Sequence, residues 1–144
     1  MARNKATDLK GMSKFDLDLE FGQKFEDEID NIFSGITTCE IKSERDKWVG
    51  YGNMVIETGS NGKPSGLTKT EASMWCHNFT LHGKLIAGVL LPVDVLKDIV
   101  QQMKEDGVSR VTKGGDGWRS ELNLLPLDRL FEYVIKVAKD RRND

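Results

Sequence analysis

The sequence has few of the residues that mark secreted, zinc-binding or membrane proteins. It contains two cysteines and two histidines among 144 residues. Two cysteines cannot build a disulfide framework, so a reducing compartment is expected. No Cys-x-x-Cys or paired-histidine spacing joins the zinc-type side chains, and their roles stay open: Cys39, Cys76, His77 and His82. No apolar run reaches the roughly 20 residues of a membrane helix, and the N-terminus lacks the apolar segment of a secretory signal. We therefore expect a cytoplasmic protein without a membrane partner.

An excess of positive charge is also missing. The chain has 21 lysines and arginines against 23 acidic residues, a net charge of −2 at pH 7. Because proteins that bind nucleic acids are more often basic, a nucleic-acid surface on this chain must be local. The length fits one domain, and we predict a single domain over residues 1–144, with frayed ends at 1–14 and 139–144.

Helical and extended patterns alternate and predict an α/β domain with a mixed central β-sheet flanked by helices. Apolar residues recur every three or four positions from 21 to 33, which predicts a helix that ends before Gly35. Two strands meet at His82-Gly83, and the second is nearly all apolar, so we expect it to be central in the sheet. Pro92 and Pro126 each open a further helix.

Charged residues converge on the stretch from residue 37 to residue 70. Glu40 and Lys42 are two positions apart, so on a strand they project from the same face. A hairpin centred on Trp48 and Val49 places Glu40 opposite Glu57. Like charges directly opposed on a sheet are destabilising. Two carboxylates kept there, beside a lysine, favour a site for a hard cation.

Other interpretations of these charges stay open. Glu-x-Lys is also typical of a solvated face of alternating charge. An odd slip in the hairpin register moves Glu40 and Glu57 to opposite faces and removes the site. Glu26, in an acidic helix, is either solvated or directed along the helix–sheet seam toward Glu40.

A candidate phosphate site follows the second strand. Thr68-Lys-Thr-Glu71 matches a capping box and predicts a short helix with Ala72, Trp75 and Cys76 on one side. The free amides at its start are suited to a phosphate, with four side chains nearby: Lys63, Ser65, Thr68 and Lys69. The alternative is a capped surface turn.

The order of these parts resembles the core of the PD-(D/E)xK nuclease superfamily. More narrowly, it is similar to small phage-encoded members in which a Glu-x-Lys strand precedes three further motifs. Here the Glu-x-Lys strand is Glu40-Ile-Lys42, and the three motifs read Gly52-Asn-Met-Val-Ile-Glu57, Gly62-Lys-Pro-Ser-Gly66 and Thr70-Glu-Ala-Ser-Met-Trp75. The resemblance covers residues 22–75 and, more faintly, 114–126.

The resemblance implies a restriction-endonuclease-like αβββαβ core and metal-dependent hydrolysis of DNA. Mg²⁺ is the implied cofactor, with Mn²⁺ as a substitute, held by Glu26, Glu40 and Glu57; the implied catalytic residues are Glu40, Lys42 and Glu57. The superfamily usually places an Asp on a strand before Glu-x-Lys, and that strand is missing here. Either Glu40 takes that role with Glu57 as the second acid and Lys42 displaced, or Asp46 contributes.

The resemblance also bears on the location, substrate and oligomeric state of the protein, and one competing function stays open. A phage-encoded enzyme would act in the host cytoplasm, on DNA that it selects by structure. Cutting both strands of a duplex or junction would favour a homodimer. The competing function is a catalytically inactive module on the same fold that binds nucleic acid or protein.

Overall fold

The computed structural model describes residues 14–142. Their backbone divides into a first compact unit that ends at Thr38 and a second that begins at Cys39; the single domain stays a prediction. The first unit contains helix α1 (Lys14–Phe33), which confirms the predicted helix. The chain leaves α1 through Gly35, whose φ of 81° favours glycine. The predicted frayed ends lie largely outside the described residues, while residues 139–141 belong to the last helix.

The second unit is an α/β fold, which confirms the predicted fold class. It contains two sheets, whereas a single central sheet was predicted. Its strands are β1 (Cys39–Glu44), β2 (Asn53–Ser60), β3 (Lys63–Pro64), β4 (Met74–Leu81), β5 (Lys84–Pro92), β6 (Arg110–Gly114) and β7 (Ser120–Pro126). Its α-helices are α2 (Trp48–Tyr51), α3 (Val93–Glu105) and α4 (Leu130–Arg141). Single 3₁₀ turns span Gly66–Thr68, Asp116–Trp118 and Leu127–Arg129.

The first sheet is mixed, with the order β1-β4-β5. β1 runs parallel to β4, and β4 runs antiparallel to β5 through the predicted turn at His82-Gly83. The prediction that the apolar strand is central is wrong, because β5 lies at the sheet edge. Its Leu85 and Ile86 are 68% and 56% exposed, so an apolar run does not by itself mark a buried strand.

The second sheet is antiparallel throughout, with the order β3-β2-β7-β6. Met54 and Ile56 of β2 are fully buried and pair with Leu125 and Asn123 of β7. α3 packs against β4, β5 and β7, and its apolar stripe is buried: Leu96, Ile99, Val100 and Met103. Within residues 14–142, no helix is both long enough and apolar enough to cross a membrane.

The predicted hairpin between the strands of Glu40 and Glu57 is wrong. β1 pairs with β4, where Glu40 lies opposite Trp75, and β2 pairs with β7, where Glu57 lies opposite Leu122. The connection lacks a tight-turn sequence. It forms α2 instead and ends at Gly52 with φ 68°, and so carries the chain from one sheet to the other.

The predicted helix after Thr68 is also wrong. The capping box does not form, and the chain makes one 3₁₀ turn and then enters β4. Trp75, His77 and Phe79 are buried at every second position, which is the period of a strand. The burial of these three rings outweighs a local capping signal worth about 1 kcal/mol.

An acid-labile contact joins the ends of α3 and α4. The buried Tyr133 donates its hydroxyl to Asp106 Oδ2 at 2.8 Å, and Lys136 Nζ lies 3.4 Å from the same oxygen. The Tyr133 hydrogen bond, and then that of Lys136, hold the pKa of Asp106 below its usual value. A carboxylate with a depressed folded-state pKa stabilises the fold above its unfolded pKa, and this contribution is lost as pH falls through the folded value.

Tyr133→Phe is therefore expected to be less stable than wild type at neutral pH, by a margin that narrows in acid. The substitution keeps the ring in the core and removes only the hydroxyl donor. Urea unfolding of both proteins between about pH 7 and about pH 2 measures the margin. A margin independent of pH would show that the hydroxyl acts without the Asp106 charge.

Candidate functional site

A cavity of about 260 Å³ lies where the two sheets meet, and charged and polar side chains from both sheets line it. Its lining comes from β1, β2, β4, β7 and the 3₁₀ turn: Lys42, Ser43, Glu44, Val55, Glu57, Gly66, Trp75, His77 and Leu122. Two predicted residues, Lys42 and Glu57, therefore line the same cavity although their strands do not pair. Glu40 is not in the lining, and Glu44 takes its place.

Glu44 reaches the cavity because of the β1–β4 register. Lys42 lies opposite His77 and Glu44 opposite Phe79, and residues paired across strands point to the same face. Glu44 also links the sheets, since its Oε1 accepts the backbone N–H of Val55 at 2.6 Å. β3 pairs only with Gly59 and Ser60 of β2, so it does not reach the edge at Val55.

A buried chain of hydrogen bonds fixes the Glu44 carboxylate. The Trp75 indole N–H donates to His77 Nδ1 at 3.0 Å, and His77 Nε2 lies 2.9 Å from Glu44 Oε1. An indole nitrogen can only donate, so Nδ1 must accept and the ring hydrogen is on Nε2, which donates to Glu44. Trp75 and His77 are 1% and 2% exposed, so the core holds both donors in place.

Glu57 is fixed from the other side of the cavity. Ser65, predicted to bind phosphate, instead donates its hydroxyl to Glu57 Oε2 at 3.0 Å. Gly66 packs on the Glu57 backbone with φ 51°, and a Cβ there would overlap the Glu57 carbonyl oxygen. The Gly62-Lys-Pro-Ser-Gly66 loop therefore holds the Glu57 carboxylate in place.

Gly66→Ala is expected to lower the free energy of unfolding by about 1–3 kcal/mol, since it adds both positive-φ strain and a backbone clash. Gly62→Ala is the matched control, because Gly62 has φ 74° but nothing within 4 Å of its Cβ position. Urea unfolding compares the two variants. Equal losses would mean that the Glu57 backbone moves aside without cost.

Lys42 faces the cavity and contacts its neighbour on β1. Its Nζ lies 3.4 Å from Glu40 Oε1, and both side chains are partly exposed, at 48% and 36%. A pair this exposed is worth little to stability, so Lys42 can exchange Glu40 for a bound anion.

The donor set of the cavity fits a hard cation. Both His77 nitrogens are engaged, so Glu44 and Glu57 are the side chains of the lining that could hold a cation. Among residues 14–142, no three His, Cys, Asp or Glu side chains come together as a metal-binding group. Mg²⁺ needs only one or two carboxylates because it keeps several waters, so these two oxygen donors suit it. Glu26 lies on α1 in the first unit, and its part in the site stays a prediction.

The other predicted phosphate ligands lie elsewhere. Lys63 and Thr68 line a separate cleft of about 350 Å³ with Glu121. Glu121 and Leu122 are successive residues of β7, so the cleft and the Glu57 cavity are on opposite faces of that sheet. The predicted helix does not form, because the chain makes a single 3₁₀ turn there. Phosphate binding by these residues stays a prediction. Lys69 is exposed at the end of the turn.

Asp46, Cys39 and Cys76 lie outside the lining of this cavity. Asp46 Oδ1 accepts the backbone N–H of His82 at 2.9 Å, and this bond lowers the Asp46 pKa. Cys39 and Cys76 are free thiols on the face of the mixed sheet opposite Lys42. Burial, and then the nearby Cys76, raise the pKa of Cys39.

Comparison with protein-family models, with curated proteins and with solved structures finds no match to this chain. The resemblance to PD-(D/E)xK nucleases therefore stays an expectation. The cavity geometry is the independent basis for a function.

Proposed function

We propose that the chain is a Mg²⁺-dependent endonuclease that hydrolyses phosphodiester bonds in DNA. One observation carries the proposal: Glu44, Glu57 and Lys42 line a single cavity of about 260 Å³. Two carboxylates beside a lysine match the charge that phosphodiester hydrolysis requires. The ordered motifs of the sequence support the same chemistry on a restriction-endonuclease-like core.

Each residue has a defined task in this proposal. Glu44 and Glu57 would hold Mg²⁺, which when bound neutralises phosphate charge and lowers the pKa of a coordinated water. The His77 N–H and the Ser65 hydroxyl hold the two carboxylates in fixed orientations. Lys42 stabilises the negative charge that develops on the phosphoryl oxygens.

A binding module without catalysis is the second candidate. It is favoured by the ion pair of Lys42 with Glu40 and by the absence of a three-ligand cluster within residues 14–142. Such a protein would retain DNA binding and lack turnover.

Incubation of the purified chain with plasmid and branched DNA tests the proposal. We expect cleavage with Mg²⁺ or Mn²⁺ and none with EDTA. Lys42→Ala is expected to reduce the rate roughly 10²–10³-fold, the usual effect of removing a group that stabilises transition-state charge. Lys84→Ala, at the exposed first residue of β5 and outside the cavity, is the control. Protein that shifts DNA without cutting it under any of these conditions would favour the binding module.

A panel of labelled single-stranded, duplex, flapped and four-way substrates would then define the preferred structure. Cleavage of both strands would favour a symmetric homodimer with one site in each subunit. Light scattering with and without DNA measures the oligomeric state.

A further inference from the structure

A second cavity adjoins the first. It has a volume of about 320 Å³, and Glu44 and Val55 line both cavities. Ligand sites in proteins span roughly 300–1,000 Å³, so this one has room for a single nucleotide-sized group. A ligand in it would lie directly beside the Glu44 carboxylate.

The walls of this cavity are largely apolar and aromatic. Trp48, Tyr51, Val55 and Leu124 supply them. The Trp48 indole N–H donates to the Thr80 carbonyl at 2.7 Å, which fixes its ring. Tyr51 is 73% exposed at the end of α2, an aromatic side chain that the core does not use. Such rings are the surfaces on which nucleobases stack.

The polar groups of the cavity match a nucleotide. Lys47 and Arg110 supply two positive charges, and neither belongs to an ion pair of the described residues. Asn53 adds an amide that both donates and accepts hydrogen bonds. Cations suited to phosphate, a polar amide and aromatic walls together complement a base with its backbone.

We propose that this cavity binds one unpaired nucleobase of the DNA strand beside the phosphate to be cut. The inference rests on the proposed function and narrows its substrate class. A base enters such a cavity only when it is unstacked and unpaired. Single-stranded, flapped or branched DNA therefore binds better than continuous duplex.

Fluorescence anisotropy in EDTA tests the cavity apart from catalysis. The probe is a labelled single strand of about eight nucleotides, and the comparison is a strand of equal length built from abasic residues. We expect the normal strand to bind about tenfold more tightly. Tyr51→Ala should remove most of this difference, Tyr51→Trp should restore it, and Arg110→Ala should weaken both strands alike. Phe131→Ala removes an aromatic residue that is 64% exposed on α4, outside this cavity, and should change neither.

The outcomes separate the two proposals. Base-dependent binding that requires Tyr51 supports the nucleobase cavity even if Mg²⁺ never elicits cleavage, in which case only the nuclease proposal fails. Equal affinity for normal and abasic strands overturns the cavity, as does a Tyr51→Ala variant that binds like wild type. Mg²⁺-dependent cleavage of continuous duplex and single strands at equal rates, unaffected by Tyr51→Ala, also overturns it and leaves the nuclease proposal intact.

Discussion

Glu44→Gln is expected to leave the fold intact and to lower Mg²⁺-dependent cleavage by about 100-fold or more. Both hydrogen bonds to this side chain, from Val55 and from His77, are accepted by Oε1. A glutamine amide oxygen can accept the same two bonds, so the link between the sheets survives. What the variant loses is the negative charge that would bind the cation.

Thermal melting with and without Mg²⁺ separates binding from folding. Mg²⁺ should raise the melting temperature of wild type and raise that of Glu44→Gln less, because a ligand stabilises the state that binds it. Glu57→Gln should behave in the same way. Glu121→Gln is the matched control, since Glu121 is a partly buried glutamate that accepts a hydroxyl hydrogen bond and lies outside the cavity. Cleavage by Glu44→Gln at the wild-type rate would contradict the role of Glu44 as a cation ligand. A larger effect of Glu40→Gln would favour the ligand set implied by the resemblance.

His77→Leu is expected to cost about 2–4 kcal/mol of unfolding free energy, because it leaves the buried indole N–H of Trp75 without its acceptor and removes one of the two donors to Glu44 Oε1. Leucine fills the space but can neither accept from the indole nor donate to the carboxylate. Glu44 then loses one of its two hydrogen bonds, and Mg²⁺ affinity should fall by roughly 10–100-fold, the usual cost of removing a partner of a metal ligand.

His77→Gln separates positioning from packing. A glutamine oxygen can accept from Trp75 while its amide donates to Glu44, so this variant should recover much of the Mg²⁺ affinity. Isothermal titration with Mg²⁺ and urea unfolding measure the two effects. If the leucine and glutamine variants both bind Mg²⁺ as tightly as wild type, His77 contributes to the core alone.

The residue pattern placed two of the predicted residues in the candidate cavity, Lys42 and Glu57, although the strand pairing it assumed is wrong. Alternation along β1 placed Lys42 on the face that turned out to line the cavity. The same alternation extends two residues further, to Glu44, and that signal was available in the sequence. Glu44 is not among the predicted site residues because the expected hairpin puts Glu40, and not Glu44, opposite Glu57.

The rest of the fold depends on contacts that local patterns do not contain. The parallel pairing of β1 with β4 joins residues more than thirty positions apart, such as Lys42 and His77. The capping box at Thr68 is a valid local signal, but the burial of Trp75 and its neighbours decides the segment. Tyr51 and Arg110 come together only through the fold, so no spacing rule could associate them.

The Val55 backbone amide donates a hydrogen bond to Glu44, so its NMR signal is sensitive to the state of that carboxylate. A cation on Glu44 would draw electron density from the oxygen that this amide contacts, and the amide proton resonance would move. Its exchange with deuterium would report how often the two sheets part at this edge. One backbone amide would thus report both cation binding at Glu44 and the integrity of the junction between the sheets.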